Sequence, residues 1–497
     1  VAKHRLVALG DSLTQGFMSG AIFATHLSYP ALIAREMGLN ADQFRYPTFS
    51  ALGGLPVNLE RMLRMLEREY GPDLNVLERL GATFKLRDLM AEVEDYWERG
   101  PGQRPRQIST TFHNLASWGM TVDDAVRLTA GDALRMVREP TTNETINQIP
   151  ERSFQRTILS VLNPSHSPSW SDRTALGAAK ALADDGGIEN LLVLLGANNA
   201  LGAATSLRIK PTDDRVLADP VRFRGEFNLW EPEHFAHFFG ELVDGLAGLD
   251  AERVFLGTVP HVTIVPLMRG VGRRPEDRLA ADRRYFDFYT HFWITDEDFR
   301  PGRHPHLTGD QARRVDETID AYNRAIRAAV DQQRGRGRSW HVVDIGGSLD
   351  RVAFRRYREV PGVPPPEGGP YEFPESWERM RDEAGLPELT THFLSTRENR
   401  LVRGGLFSLD GVHPTTLGYG LLAHEFIKVM EAVGVPFFDL ETGAPRPGPI
   451  EVDFPRLLRL DPLVRVPPGL LDDTVGILNW LDGWIGLGGI LRKVNGC

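Results

Sequence analysis

Short apolar runs without polar alternation recur along the chain, and longer stretches with apolar residues every three or four positions follow them. "RLVALG" (5–10), "QISTTFHNLA" (107–116), "NLLVLLG" (190–196), "RVFLGTVP" (253–260) and "WHVVDIG" (340–346) read as strands. Several lack the alternation of a half-solvated strand, so both of their faces are expected to be covered. "YPALIAREMG" (29–38), "TVDDAVRLTAGDALRMV" (121–137), "PEHFAHFFGELVDGLAGL" (232–249), "GDQARRVDETIDAYNRAIRAAVDQQ" (309–333) and "TLGYGLLAHEFIKVMEAVG" (416–434) read as helices. Thr121, with Asp124 three residues on, gives the second of these an N-terminal cap signal. Strand–helix alternation predicts an α/β fold with a central parallel sheet.

About 200 residues suffice for such a sheet. The surplus lies at 53–105, 138–172, 203–230, 261–308 and 350–405, which are rich in Pro, Gly, Arg and Glu. These stretches read as insertions at strand ends, so residues 1–440 are expected to form one enlarged domain and 441–497 a C-terminal tail. Residues 446–469 look extended and wrapping. They lead into 470–494, where Val475, Leu478, Leu481 and Ile485 recur at helical spacing beside Trp480 and Trp484. That amphipathic helix suits packing on the core or on a second subunit. Its alternative is weak contact with a lipid surface, but Asp472, Asp473 and Asp482 oppose an anionic one.

Composition removes several function classes. Lys and Arg total 57 against 67 Asp and Glu, a net charge of −10, so no basic excess exists to neutralise phosphates and no nucleic-acid partner is expected. Cys497 is the single cysteine, which excludes an intramolecular disulfide and a cysteine metal site. No run of 18 apolar residues occurs, so no membrane-spanning helix is expected. No signal peptide is visible, but the chain starts at Val1, not Met. The expectation is a soluble protein, cytoplasmic or secreted after loss of a leader.

The candidate chemistry sits at strand ends. Ser12 in "LVALGDSLTQGF" (6–17) directly follows a strand and either caps a helix or serves as a nucleophile. A serine nucleophile needs a histidine base steadied by a carboxylate. "SLDGVHPTTLGYGLLAHEF" (408–426) offers Asp410 and His413 three residues apart, with Pro414 suited to a first helical turn. Acyl transfer also needs fixed donors for a developing oxyanion. Gly119 in "HNLASWGMTVDD" (113–124) and Asn198 in "LLVLLGANNALG" (191–202) are placed to supply them, although "SALGGLPVN" (50–58) holds rival glycines.

Together, in this order, "GDSLTQG", "NLASWGM", "GANN" and "DGVH" resemble the blocks of the SGNH (GDSL) hydrolase family of esterases and lipases. The resemblance covers the core scattered over 5–430, not the insertions or the tail. It implies a flavodoxin-like three-layer α/β/α sandwich. No G-x-S-x-G elbow occurs, so the α/β-hydrolase fold is not expected. It further implies Ser12, Asp410 and His413 as a catalytic triad, with an oxyanion hole from the Ser12 and Gly119 N–H groups and the Asn198 amide. No cofactor or metal is implied. Asn199 departs from the family, which usually carries Asp there. The expected substrate is a small-molecule or lipid ester with a hydrophobic acyl group. A carbohydrate acetyl ester is the alternative, and a non-catalytic ligand-binding protein on the same fold is a third reading.

Asp11 and Leu13 beside Ser12, Asn199, and Phe288, Phe292 and Trp293 are the expected substrate contacts. The last three belong to the aromatic stretch 284–299, with Tyr285, Phe286 and Tyr289. That stretch either lines an acyl pocket or anchors an insertion. His304 and His306 lack further metal ligands in the sequence and read as loop residues. "RGRGR" (334–338) reads as a solvated helix end.

Overall fold

The computed structural model describes residues 2–72, 74, 76–104, 108–139, 149–272, 285–353, 369–473 and 476. At its centre lies a parallel four-stranded sheet, β1 (Val7–Gly10), β2 (Ile188–Leu194), β3 (Ala251–Gly257) and β4 (Trp340–Val343), in the spatial order β1-β2-β3-β4. Val7 pairs with Leu191, Val193 with Leu256, and Gly257 with Val343. β1 and β2 are buried along their whole length, as their unbroken apolar runs require.

The fifth expected strand is reduced to a single parallel bridge, Ala8 with Asn114. Backbone bonds from Ala8 N to His113 O, Leu115 N to Ala8 O and Ser117 N to Gly10 O still hold 113–117 alongside β1. The ladder stops because Asn114 diverts local partners. Its amide donates to Thr14 O and its carbonyl takes the Ala116 N–H.

The helices relevant to the site are α1 (Ser12–Gln15), α2 (Tyr29–Glu36), α3 (Val122–Arg127), α4 (Ala130–Arg138), α5 (Asn198–Ser206), α6 (Pro232–Ala247), α7 (Gly309–Gly335), α8 (Ile345–Val352) and α9 (Thr416–Ala432). The pattern over 121–137, expected as one helix, is two. Thr129 leaves helical geometry and forms its own capping box with Asp132, restarting the helix just after the Thr121–Asp124 box has started the first. α2 and α9 pack together, with Tyr29 stacked on Phe426 at 4.8 Å, whereas α6 packs on α3 and α7, with Phe235 stacked on Tyr322 at 3.9 Å.

The surplus stretches carry structure that periodicity did not reveal. Two helices, Leu59–Tyr70 and Val76–Glu98, occupy 53–105. A helix over Ser153–Leu162 lies in 138–172, and two short helices, Arg215–Ala218 and Pro220–Phe223, lie in 203–230. A small antiparallel sheet of Met268–Val271, Phe288–His291 and Leu307–Thr308 lies in 261–308. Helix Glu375–Ala384 and a hairpin of Ser395–Arg397 with Arg400–Arg403 lie in 350–405. The tail, expected to be extended over 446–469, contains helices Phe454–Arg459 and Pro462–Arg465. Each carries a proline within its first two residues and follows an aspartate whose side chain caps it. Phe454 packs against Trp377 and over Gly420 of α9, which ties the tail to the core. The residues of the expected amphipathic helix, Val475, Leu478, Trp480, Leu481, Trp484 and Ile485, lie outside the described residues, as does Cys497. Among the described residues no helix is long and apolar enough to cross a membrane.

Candidate active site

β1 ends in Gly10, where a Cβ would stand 2.0 Å from Thr14 Oγ1 and 2.7 Å from the Leu194 carbonyl. Only glycine lets the chain turn this close to β2. Asp11 then caps α1, its carboxylate accepting the Leu13 N–H at 3.1 Å. The capping role therefore falls to Asp11, and Ser12 is the first residue of the helix.

The 408–413 loop is sewn onto the segment following α1. Asp410 Oδ2 accepts from Gly20 N at 2.8 Å, and Oδ1 accepts from Val412 N at 2.9 Å and His413 N at 2.8 Å. Ser19 N donates to Ser408 Oγ at 2.8 Å, and the Tyr419 hydroxyl of α9 donates to Phe17 O at 2.5 Å. His413 Nδ1 lies 3.1 Å from Asp410 Oδ2, and its ring packs 4.5 Å from that of Phe17. Burial alone would raise the Asp410 carboxyl. The neighbouring His413 and the N–H donors outweigh it and hold the group below the usual carboxylate range. A carboxylate on Nδ1 fixes the tautomer in which Nδ1 carries the proton, leaving Nε2 as the base.

Ser12 and His413 line one cavity of about 110 Å³, several times the ~10–15 Å³ that a water needs. Leu13, Leu201, Val262, Val265, Leu349 and Leu421 are among its apolar walls. No direct hydrogen bond joins the Ser12 hydroxyl to the His413 ring.

Gly119 and Asn198 meet in a second, smaller depression with Thr121, Asp123 and Arg224. Ala197 lines the first depression and the next residue, Asn198, lines the second. Gly119 sits at φ +75°, in the left-handed region that favours glycine. Its loop is pinned by Ser117 N to Gly10 O at 3.2 Å and by Trp118 N to Gln15 Oε1 at 2.8 Å. Its own N–H meets no acceptor among the described residues. The Asn198 amide donates to Met120 O at 2.9 Å. Gly53 and Gly54, the rival glycines, line neither depression.

Of the expected substrate contacts, only Leu13 lines the cavity. Asp11 is buried and does not line it. Desolvation pushes its carboxyl up to about 7 against the Leu13 N–H and His413. Asn199 is fully buried, and its carbonyl takes the Val122 N–H at 3.1 Å, which fixes the start of α3. That is an acceptor's task, which an amide oxygen performs as a carboxylate oxygen would. Phe288 packs on Phe299, Phe292 stacks on Phe393 at 3.7 Å, and Trp293 stacks on His291 at 4.4 Å. The structure brings none of these three to the cavity, because the insertion's aromatic rings pair with one another and with Phe393 of the 350–405 stretch.

Sequence reasoning missed three other residues at the site. Arg224 donates to Gly119 O at 2.7 Å, pairs with the buried Asp124 carboxylate and lies 4.0 Å over the Phe154 ring. His261, on the cavity wall, meets Asp350 through Nδ1 at 2.9 Å and Asp320 through Nε2 at 3.0 Å. Glu425, also on the wall, accepts from Ser348 Oγ and Tyr371 OH, each at 2.8 Å, and from Lys428 Nζ at 3.0 Å. Burial opposes ionisation of Glu425, but Lys428 and the two hydroxyls prevail and its carboxyl lies below its ordinary value. One sequence signal was available for Glu425: Gly418, Leu421, Leu422 and Glu425 share one face of α9 at helical spacing. His304 and His306 make only local loop contacts with backbone groups and neighbouring rings, and no cluster of His, Cys, Asp or Glu suited to a metal occurs among the described residues. In comparisons with known proteins, no family model and no curated protein matches the chain.

Proposed function

We propose that the protein is a serine hydrolase of the SGNH (GDSL) kind, cleaving carboxylic esters with a hydrophobic acyl group. One observation carries the reading: His413, paired with the buried Asp410, borders the same apolar cavity as Ser12, at the C-terminal edge of a parallel sheet. Open α/β sheets bind their ligands at that edge. The backbone bonds of 113–117 to β1 support the flavodoxin-like arrangement, since they put the chain's second strand position outside the first.

In this mechanism Ser12 Oγ attacks the ester carbonyl as His413 Nε2 takes its proton, and Asp410 steadies the imidazolium. The Ser12 and Gly119 N–H groups and the Asn198 amide receive the oxyanion. His413 returns the proton to the leaving alcohol, and water then releases the acid from the acyl-enzyme by the same route. The wild-type chain should hydrolyse p-nitrophenyl esters and take up a fluorophosphonate at Ser12, and Ser12→Ala should do neither. Full activity in Ser12→Ala would overturn the proposal, and a wild-type chain silent on every ester from acetate to palmitate would favour a binding protein.

A further inference from the structure

The apolar cavity has a direction. On α9 its lining residues are Gly418, Leu421, Leu422 and Glu425, and on α8 they are Ile345, Ser348, Leu349 and Val352. Each set steps by three, one and three residues, so each is one face of its helix. Seven residues of helix advance roughly 10 Å. Ser12, His413 and Pro414 line the end where α9 begins. At the other limit on α9, Glu425 binds Ser348 of α8 and Tyr371 of the 350–405 insertion, and Tyr371 is itself buried.

From this layout we propose that Tyr371, held on Glu425, is a stop that sets the length of the acyl chain. The inference rests on the esterase reading above. The chain enters with its carbonyl at Ser12 and runs between the facing sides of α8 and α9 until its end meets the Tyr371 ring. A carbon chain with bonds of ~1.5 Å opening at ~111° advances about 1.25 Å per bond. A groove of roughly 10 Å therefore suits acyl groups of about eight carbons, a medium chain. The polar end is not a receptor for a polar tail. Ser348, Tyr371 and Lys428 already occupy both Glu425 oxygens. A longer chain has to displace Tyr371 and strip a hydrogen bond from a buried carboxylate, which is strongly unfavourable.

The full chain is assayed on p-nitrophenyl esters from two to sixteen carbons, with active Ser12 in each sample titrated by a fluorophosphonate. The readout is the ratio of kcat/KM on the twelve-carbon ester to that on the eight-carbon ester. Wild type should peak near eight carbons and fall at least tenfold by twelve. Tyr371→Ala should raise the ratio tenfold or more, and Tyr371→Phe, which keeps the ring, should hold the wild-type preference for eight carbons. Leu422→Trp, which fills the groove before the stop, should move the optimum to four carbons or fewer. Titratable Ser12 with an unchanged profile in both Tyr371→Ala and Leu422→Trp overturns the stop and leaves the esterase reading standing. A wild type that neither labels nor cleaves any ester overturns both.

Discussion

At the scale of single residues, the site depends on how few alternatives each side chain has. Asp410 spends one oxygen on two backbone N–H groups and the other on Gly20 and His413, so its geometry is set before any substrate arrives. Asp410→Asn keeps the shape but presents an amide that favours the wrong imidazole tautomer, and should lower kcat about 10⁴-fold; steady-state kinetics on the best ester checks this. Arg224 is as constrained. Arg224→Ala would leave the Asp124 carboxylate buried without its cation and should cost roughly 3–5 kcal/mol in urea unfolding. Ser12, Asp410 and His413 were legible in the sequence because each lies in a short local motif, a glycine turn after a strand or a tight loop before a helix. Arg224, Tyr371 and His261 were not. Their partners stand 54 to 105 residues away in the chain, and that nearness is created only by folding.

At the scale of elements, apolar periodicity located the sheet and the main helices because packing and pattern agree there. β2 was expected over 190–196 and forms at Ile188–Leu194, and α7 was expected over 309–333 and spans Gly309–Gly335. The pattern failed where polar side chains redirect the backbone. At 113–116 Asn114 ends the ladder, and at 121–138 a second cap divides one apolar stripe into two helices. That cap is testable, since Thr129→Ala removes the acceptor for the Asp132 N–H and should destabilise the fold by about 0.5–2 kcal/mol, read as a lowered melting temperature. The insertions were legible only as surplus, because their helices and strands bury faces against partners from elsewhere in the chain.

At the scale of the whole molecule, three carboxyls among the described residues are buried more deeply than their hydrogen bonds offset. Asp11, Asp123 and Asp461 are each pushed up to about 7, chiefly by burial. Between an unfolded value of about 4 and that folded value, the native chain keeps protons that the unfolded chain has lost. Stability therefore falls as pH rises through this window and levels off above it. Asp123→Asn, which removes one of these protons from the balance, should gain roughly 1–4 kcal/mol on wild type at pH 8 relative to pH 5, measured by urea unfolding at both values. Asp410 works in the opposite sense, since its depressed carboxyl adds stability that disappears only as pH falls through its low folded value. The stitching of the 408–413 loop onto Ser19 and Gly20 has a consequence for biosynthesis. At ribosomal rates of about 5–20 residues per second, Ser12 waits roughly 20–80 s for His413 to be translated. On the proposed mechanism, a nascent polypeptide therefore exposes a serine without its proton acceptor until the 408–413 loop has been made.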